Sequence, residues 1–385
     1  MALLPFNIAK QKKIKVVIVG GGYAGMATLT TLARYAQDIS ITIIDPREQH
    51  IKTTHLHETF RYPLEDMLVP FRDIENRFGC RHVKASVDFT CQDFHHFQEH
   101  RQLIVDEEVF DFDYLVITMG CQDRVVEESN EKLLLKDFET TSGSELITGI
   151  LNNSNQSNPS ISVVGGGATG IQFLFELQYF LNRIKSKATL SLIHSKGSVL
   201  ESFPAGFNNY VQSRMQDLEI TFHPHCYFYQ QQSGQIQLTN KLTQQQFALP
   251  STVSLVFLGK QAQNNLSANA FGQVIAHYKV LPNVLTAGDN SNFESIGTNA
   301  RSAQSAVRKG KLVARNILRH AGFPGLLEPY MHQDLGYVIN LGPHDAVGWL
   351  GTRNNLMTGI PALAIKEIVE AQYDLMLSGI DTYLL

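Results

Sequence analysis

Two stretches of this chain follow one plan. "KVVIVGGGYAGMATLTTLARYAQDISITIIDP", from Lys15 to Pro46, and "ISVVGGGATGIQFLFELQYFLNRIKSKATLSLIHS", from Ile161 to Ser195, each read as a β-branched strand, a glycine turn, a helix-compatible run and a second strand. Val16 to Val19 is apolar at every position, as suits a parallel strand covered on both faces. The turns carry Gly-x-Gly-x-x-Gly as Gly20, Gly22, Gly25 and as Gly165, Gly167, Gly170. In the first unit Asp45 closes the second strand 20 residues after Gly25, the interval at which a carboxylate reaches an adenosine ribose. In the second unit His194 stands at that place, 24 residues after Gly170. A strand, glycine turn, helix, strand and acid together are a specific signal, whereas the glycine motif alone is weak. The pattern predicts an α/β chain of two nested Rossmann-like dinucleotide-binding domains plus a small α+β C-terminal domain.

The segments between the units set the expected boundaries. Phe110 to Gly120 reads as a buried strand closing on a glycine, followed by a helix and the polar linker "NNSNQSNPS". A glutamine-rich region, Tyr229 to Phe247, holds a Ser-Gly turn between alternating residues and reads as a hairpin. "LPNVLTAGDNS" is another strand ending in Gly288 and Asp289, and an amphipathic helix follows it. "DLGYVINLGPHDAVGWLG" alternates as antiparallel strands, and Pro361 to Gly379 is an amphipathic helix. The expected domains are residues 1–123 with 285–322, residues 124–284, and residues 323–385.

Composition excludes several classes. At 385 residues, 43% hydrophobic and 18% charged, the chain can bury a large core, so disorder is set aside. A net charge of -4 with no basic stripe gives no reason to expect nucleic acid. Cys80, Cys91, Cys121 and Cys226 form neither a Cys-x-x-Cys pair nor any other close pair, so they are expected reduced, in the cytoplasm. The N-terminal apolar patch is too short for a signal-peptide core, and no apolar run is long enough to span a bilayer. An amphipathic helix lying on a membrane surface needs no such run.

On "IIDPREQH", "YPLEDMLVPFRDI", "YLVITMG", "VVGGGATG", "NVLTAGD", "SAQSAVRKG" and "LGPHDAVGWLG", the chain resembles the two-dinucleotide-binding-domain flavoproteins over nearly its whole length. Within them it is most similar to the type II NADH dehydrogenases and the apoptosis-inducing-factor-like quinone reductases. The resemblance implies non-covalent FAD in the first domain, NAD(P)H as substrate in the second, and a hydride passing between them to a quinone-like acceptor without proton pumping. For FAD it implies Gly20, Gly22, Tyr23, Ala24, Gly25, Asp45, Pro46, Arg72, Gly120, Gly288, Asp289, Ala303 and Gln304. For the nicotinamide nucleotide it implies Gly165, Gly167, Thr169, Gly170, His194, Ser195 and Lys196. Gln172, Gln304 and Arg308 are the residues expected nearest the chemistry.

The chain departs from the family at three places. A Glu is usual two residues after the third glycine of the second motif, where this chain has Gln172, and an amide cannot relay a net proton. Arg308 replaces a glutamine one turn beyond Gln304, and the prolines that usually precede that helix are missing from "GTNARSAQ". The chain ends soon after Tyr373, where the type II enzymes continue into a membrane-anchoring tail, so firm attachment is not expected. The alternatives are an NAD(P)H dehydrogenase with a non-quinone acceptor and a flavin-bound sensor with negligible turnover. Sulfide oxidation needs paired cysteines that the spacing does not offer.

Simpler readings stand beside these. Asp45 is otherwise a turn residue before Pro46, and Arg72 is either an exposed ion-pairing arginine or part of the cofactor entrance. "THLHE" and "HPHC" bring histidines together without known zinc spacing, and no metal is expected. The terminal helix packs on the core, pairs two copies of the chain as a homodimer, or makes peripheral membrane contact. Because His194, Ser195 and Lys196 offer donors and no carboxylate, NADPH is expected to serve at least as well as NADH.

Overall fold

The computed structural model describes residues 13–35, 38–89, 93–124, 127, 129–154, 158–262 and 265–383; the N-terminal apolar patch and Cys91 lie outside them. The first unit contains β1 (Ile14–Val19), α1 (Tyr23–Tyr35), β2 (Ile39–Ile44) and β3 (Tyr114–Ile117). The second contains β4 (Ser160–Val164), α2 (Ala168–Arg183), β5 (Thr189–Ile193) and β6 (Val253–Val256). There follow β7 (Lys279–Thr286) and α3 (Ala303–His320). The last segment holds β8 (Gly336–Asn340), β9 (Ala346–Leu350), β10 (Leu356–Thr358) and α4 (Ile360–Leu377).

Both expected units form, and each makes its own parallel sheet. In the first, β1 lies between β2 and β3, with β7 beyond β3 and Arg81–Val83 beyond β2. In the second, β4 lies between β5 and β6, flanked by Thr221–His223 and Lys132–Leu133. The strand buried on all sides is the one that feeds the glycine turn in each case, so both turns open at the carboxyl ends of parallel strands, where α/β sheets bind ligands.

Two expectations change. The run Phe110 to Gly120 divides: Glu108–Asp111 pairs antiparallel with Gln102–Val105, and only Tyr114–Ile117 enters the parallel sheet. Asp113 breaks the run, because its carboxylate and its backbone N–H both turn to the Lys15 backbone. The chain also returns to the first sheet earlier than residue 285. Leu266–Ala268, Gln273–Ala276 and all of β7 already belong to that sheet, since the Gln273–Ala276 hairpin supplies its antiparallel edge.

The glutamine-rich region is a three-stranded antiparallel sheet, Cys226–Gln232, Gln235–Asn240 and Gln246–Pro250. Its first turn has positive φ at both Ser233 and Gly234, the backbone a two-residue hairpin needs.

Between the two units lies an aromatic seam. Phe60, from the 3-10 helix Thr53–Phe60, packs 6.3 Å from the Phe173 ring of α2, and Phe173 in turn meets Phe138 edge-to-face and Phe257 at a tilt, both at 4.6 Å. All of these but Phe257 are fully buried, so the two glycine turns are held in a fixed relation.

Candidate functional site

The two glycine triplets divide their work in the same way. Gly20 and Gly165 have φ of 104° and 117°, which other residues adopt only under strain. A Cβ on Gly25 would overlap the Gly20 carbonyl, and one on Gly170 the Gly165 carbonyl. The middle glycines differ: a Cβ on Gly22 or Gly167 would meet nothing within 4 Å. The folded chain therefore demands the outer glycines but leaves space at the middle ones, the position where a pyrophosphate approaches the backbone. Neither α1 nor α2 has an acidic residue in its first turn, and Gly167 caps α2 without a side-chain bond. Their leading N–H groups face a ligand site with the positive end of the helix dipole.

Both turns open into one cleft of about 460 Å³, within the range of small-molecule sites. Gly20, Gly22, Tyr23, Ala24 and Asp45 line it from the first unit, and Gly167, Thr169, Gly170 and Gln172 from the second. Gly120, Gly288, Asp289 and Ala303 also line it. Gly25 and Gly165 sit behind it, in the turns themselves. Pro46 and Arg72 are exposed and do not line the cleft, and neither do Gln304, Arg308, His194, Ser195 or Lys196. Cleft residues that the sequence reading did not single out include Met119, Lys260, Arg301 and Tyr337.

Asp45 is buried and already fully engaged. Its Oδ2 accepts from Gly21 N at 2.6 Å and Arg47 Nη2 at 3.0 Å, while Oδ1 accepts from Arg47 N and Nε, both at 2.9 Å. Burial opposes ionisation, but the Arg47 bonds outweigh it and hold the carboxyl below its ordinary range. A ribose can bond to Asp45 only where the Arg47 fork yields. Arg47, which lines the cleft, is thus the arginine that matters at this end, and its place two residues after the acid in "DPR" was the available signal.

The second unit repeats this bond with a different side chain. Gly166 N donates to His194 Nδ1 at 3.0 Å, as Gly21 N does to Asp45. Burial lowers the His194 pKa, so the ring is neutral with its proton on Nε2. Lys196 does not stand open for a phosphate: its Nζ pairs with Glu201 at 2.8 Å. The loop after β5 also brings a carboxylate to this end, Glu201, where the sequence led us to expect donors alone around His194 and Lys196.

Gln172 lies on the cleft face of α2, and its amide donates to His57 Nε2 at 3.4 Å. His57 is fully buried, which pushes its pKa well down and keeps it neutral. Behind it is a buried ionic cluster. Lys366 of α4 reaches Glu58 at 2.7 Å and also pairs with Glu370, and His55 lies 3.6 Å from Glu58 and 3.7 Å from Glu370. His55, Glu58 and Glu370 offer ligand atoms within 4.8 Å of one another, but the Lys366 ammonium fills the cation position between the two carboxylates. One turn beyond Gln172, Glu176 is fully buried and grips Arg61 through two bonds of 2.8 and 3.0 Å. The carboxyl absent at 172 is present at 176, turned away from the cleft.

At the other end, Ser302 caps α3 by accepting from Ser305 N, and Ala303 and Ala306 face the cleft. The Arg308 guanidinium lies over the Tyr383 ring at 5.8 Å. Asp289 borders the cleft, and burial raises its pKa against the charges of Lys260, Lys309 and Arg301. The C-terminal helix braces the first turn: Tyr373 donates to His50 Nε2 at 2.9 Å, and His50 Nδ1 donates to Gly21 O at 2.8 Å.

Known proteins are similar to this chain over nearly its whole length. The type II NADH:quinone oxidoreductase of Staphylococcus aureus (strain MSSA476) is 24% identical over 409 residues, covering 96% of this chain and 97% of that protein. The structure of NDH2 from Plasmodium falciparum in complex with NADH shares the fold at a TM-score of 0.76 and 15% identity, covering 96% of both chains. The sulfide:quinone oxidoreductase of Aquifex aeolicus does so at 0.74 and 16% identity, covering 95% of this chain and 92% of that one. The family model for pyridine nucleotide-disulphide oxidoreductases matches residues 14–310, and the chain belongs to that family.

Proposed function

We propose that this chain is an FAD-dependent oxidoreductase that takes a hydride from NADH and passes the electrons to a quinone, without pumping protons. The cleft lined by both glycine turns carries the reading, because it opens two turns of the dinucleotide-binding type onto one space. FAD, when bound, supplies a two-electron carrier between nicotinamide and acceptor. The chain's own part is to hold and orient. The N–H groups at the start of α1 bind the FAD pyrophosphate over Gly22, and Asp45 receives the adenosine ribose as Arg47 moves aside. The start of α2 binds NADH over Gly167 in the same way. The space at both middle glycines is what fits these residues to the two nucleotides. Attachment of FAD is non-covalent, since no histidine or cysteine stands in a recognised attachment motif.

The quinone end rests on the relatives' activity and on the open cleft beside Gln172 and Tyr337. With an amide at 172, the proton that a quinone needs besides the hydride does not come from that side chain. No helix among the described residues is long and apolar enough to cross a membrane. We assign peripheral contact with the cytoplasmic membrane face to the exposed stripe of α4, Ile360, Ala364, Ile368, Ala371 and Leu375. Steady-state NADH oxidation with and without a short-chain quinone tests the function. Quinone-dependent turnover by a yellow protein that gives up its colour on acid precipitation is expected; oxidation indifferent to quinone would exclude it as the acceptor.

A further inference from the structure

The loop that follows β5 bends back onto the glycine turn of its own unit. Leu200 N donates to Gly166 O at 2.9 Å, and Leu200 has φ of 54°, a left-handed conformation that a branched side chain adopts only when its surroundings impose it. Gly166 is therefore held from both sides, by His194 through its N–H and by Leu200 through its carbonyl. The next residue, Glu201, pairs with Lys196 at 2.8 Å and retains 35% side-chain exposure. Its partner Lys196 is two residues beyond His194, and its neighbour Leu200 is bonded to the glycine turn, which together place it at the end of β5 where the ribose-reading side chain of a dinucleotide unit stands.

We propose that Glu201 is the carboxylate that reads the adenosine ribose in the second unit, and that it selects NADH over NADPH. The inference rests on the reading of that unit as the NADH site. Comparison within the chain supports it. Asp45 both accepts the glycine N–H and offers a carboxylate to the first ribose; in the second unit these two tasks are divided, His194 taking the N–H and Glu201 supplying the charge. Lys196 orients Glu201 through their ion pair. The groups facing this position are the neutral His194, Lys196 and Glu201, which sum to no net charge. A ribose 2′-hydroxyl donates to the Glu201 carboxylate and can accept from His194 Nε2–H. A 2′-phosphate brings about two negative charges against that carboxylate and must compete with it for Lys196.

The test uses calorimetric titration of the FAD-loaded full chain with ADP-ribose and with 2′-phospho-ADP-ribose, alongside kcat/KM for NADH and NADPH. The native chain is expected to bind ADP-ribose at least tenfold more tightly. Glu201→Gln should close that gap at least tenfold by removing the carboxylate and freeing Lys196 for phosphate, and adding Lys196→Met should weaken 2′-phospho-ADP-ribose again without restoring the native affinity for ADP-ribose. Melting temperatures confirm that both variants remain folded, as partly exposed sites allow. Equal binding of the two ligands by the native chain, or a gap that Glu201→Gln leaves in place, overturns the assignment. A native chain that binds neither ligand refutes the nucleotide site itself, and tight ADP-ribose binding without NADH turnover refutes the redox reading while leaving the assignment of Glu201 standing.

Discussion

Replacing Glu176 by Gln sets two physical effects against each other. The carboxylate makes a two-pronged ion pair with Arg61, and breaking a buried pair usually costs about 3–5 kcal/mol. Yet the side chain is 0% exposed, and burial pushes its carboxyl up to about 7 in spite of Arg61. A carboxyl raised in the folded state binds its proton more tightly than the unfolded chain does. Its stabilising contribution is complete below the unfolded value of 4.5 and is lost as pH rises through about 7. At ~1.4 kcal/mol per pH unit, the interval between those two values amounts to ~3 kcal/mol. With an unfolding entropy of ~2 cal/mol/K per residue over a chain of this length, that is a melting shift of ~4 °C. At pH 5 Glu176 is protonated and Gln is its near-isostere, so wild type and variant should melt together. At pH 8 the variant should melt ~4 °C higher, because it has no carboxylate to desolvate at 176 while Arg61 keeps Glu58 within 3.8 Å. Other titrating groups, among them Glu370 and His57, remain in both proteins and cancel in the comparison. The assay is calorimetric melting of the FAD-saturated proteins at pH 5 and pH 8. A variant that melts several degrees below wild type at pH 8 would show that the Arg61 pairing dominates and that Glu176 is ionised well below neutrality.

Three further outcomes follow from the site. Gly22→Ala should leave the apoprotein's melting temperature within about 1 °C, since its Cβ meets nothing, while abolishing FAD retention; Gly25→Ala, whose Cβ meets the Gly20 carbonyl, should destabilise the fold itself, and retained FAD in the first variant would remove the pyrophosphate from this turn. Asp45→Ala should weaken FAD binding by ~1–3 kcal/mol, measured by ultrafiltration of the yellow protein; unchanged retention would mean that Asp45 serves only Gly21 and Arg47. Gln172→Glu should speed quinone reduction more than flavin reduction in stopped-flow traces, and equal changes in both half-reactions would rule out a proton-limited second step.

The features legible in the sequence are those whose signal is local. Strand, turn, helix and second strand lie within about 35 residues, so both nucleotide units could be read directly, with the outer glycines at the places where only glycine fits. The Ser233-Gly234 hairpin was legible for the same reason. What was hidden is side-chain pairing at long range. Arg61 and Glu176 lie 115 residues apart, and Glu58 and Lys366 308 apart, with no spacing rule to connect them. Arg72 was singled out on a motif, whereas Arg47 holds Asp45; choosing between them requires knowing that Arg72 points outward from the surface of its helix. Glu201 was invisible because it reaches the end of β5 through a left-handed turn at a leucine, a conformation that composition does not announce.

The C-terminal segment shows why core packing and surface contact need not compete. Its strands join the core of the second unit, with Ile339, Val347 and Trp349 buried against Phe207 and Val211. The end of its helix joins the core of the first, with Tyr373, Met376 and Leu377 buried beside Leu29 and Phe71. Between these ends, Lys366 and Glu370 carry the ionic cluster that backs His57 and Gln172. One segment therefore bridges both nucleotide units at the wall of the cleft, and the Tyr373–His50–Gly21 chain passes its position to the first glycine turn. All of this uses one side of α4. Ile360 and Ile368 on the other side remain 73% and 62% exposed, so a surface that engages them would be coupled through the same rigid helix to the turn and to the cleft wall.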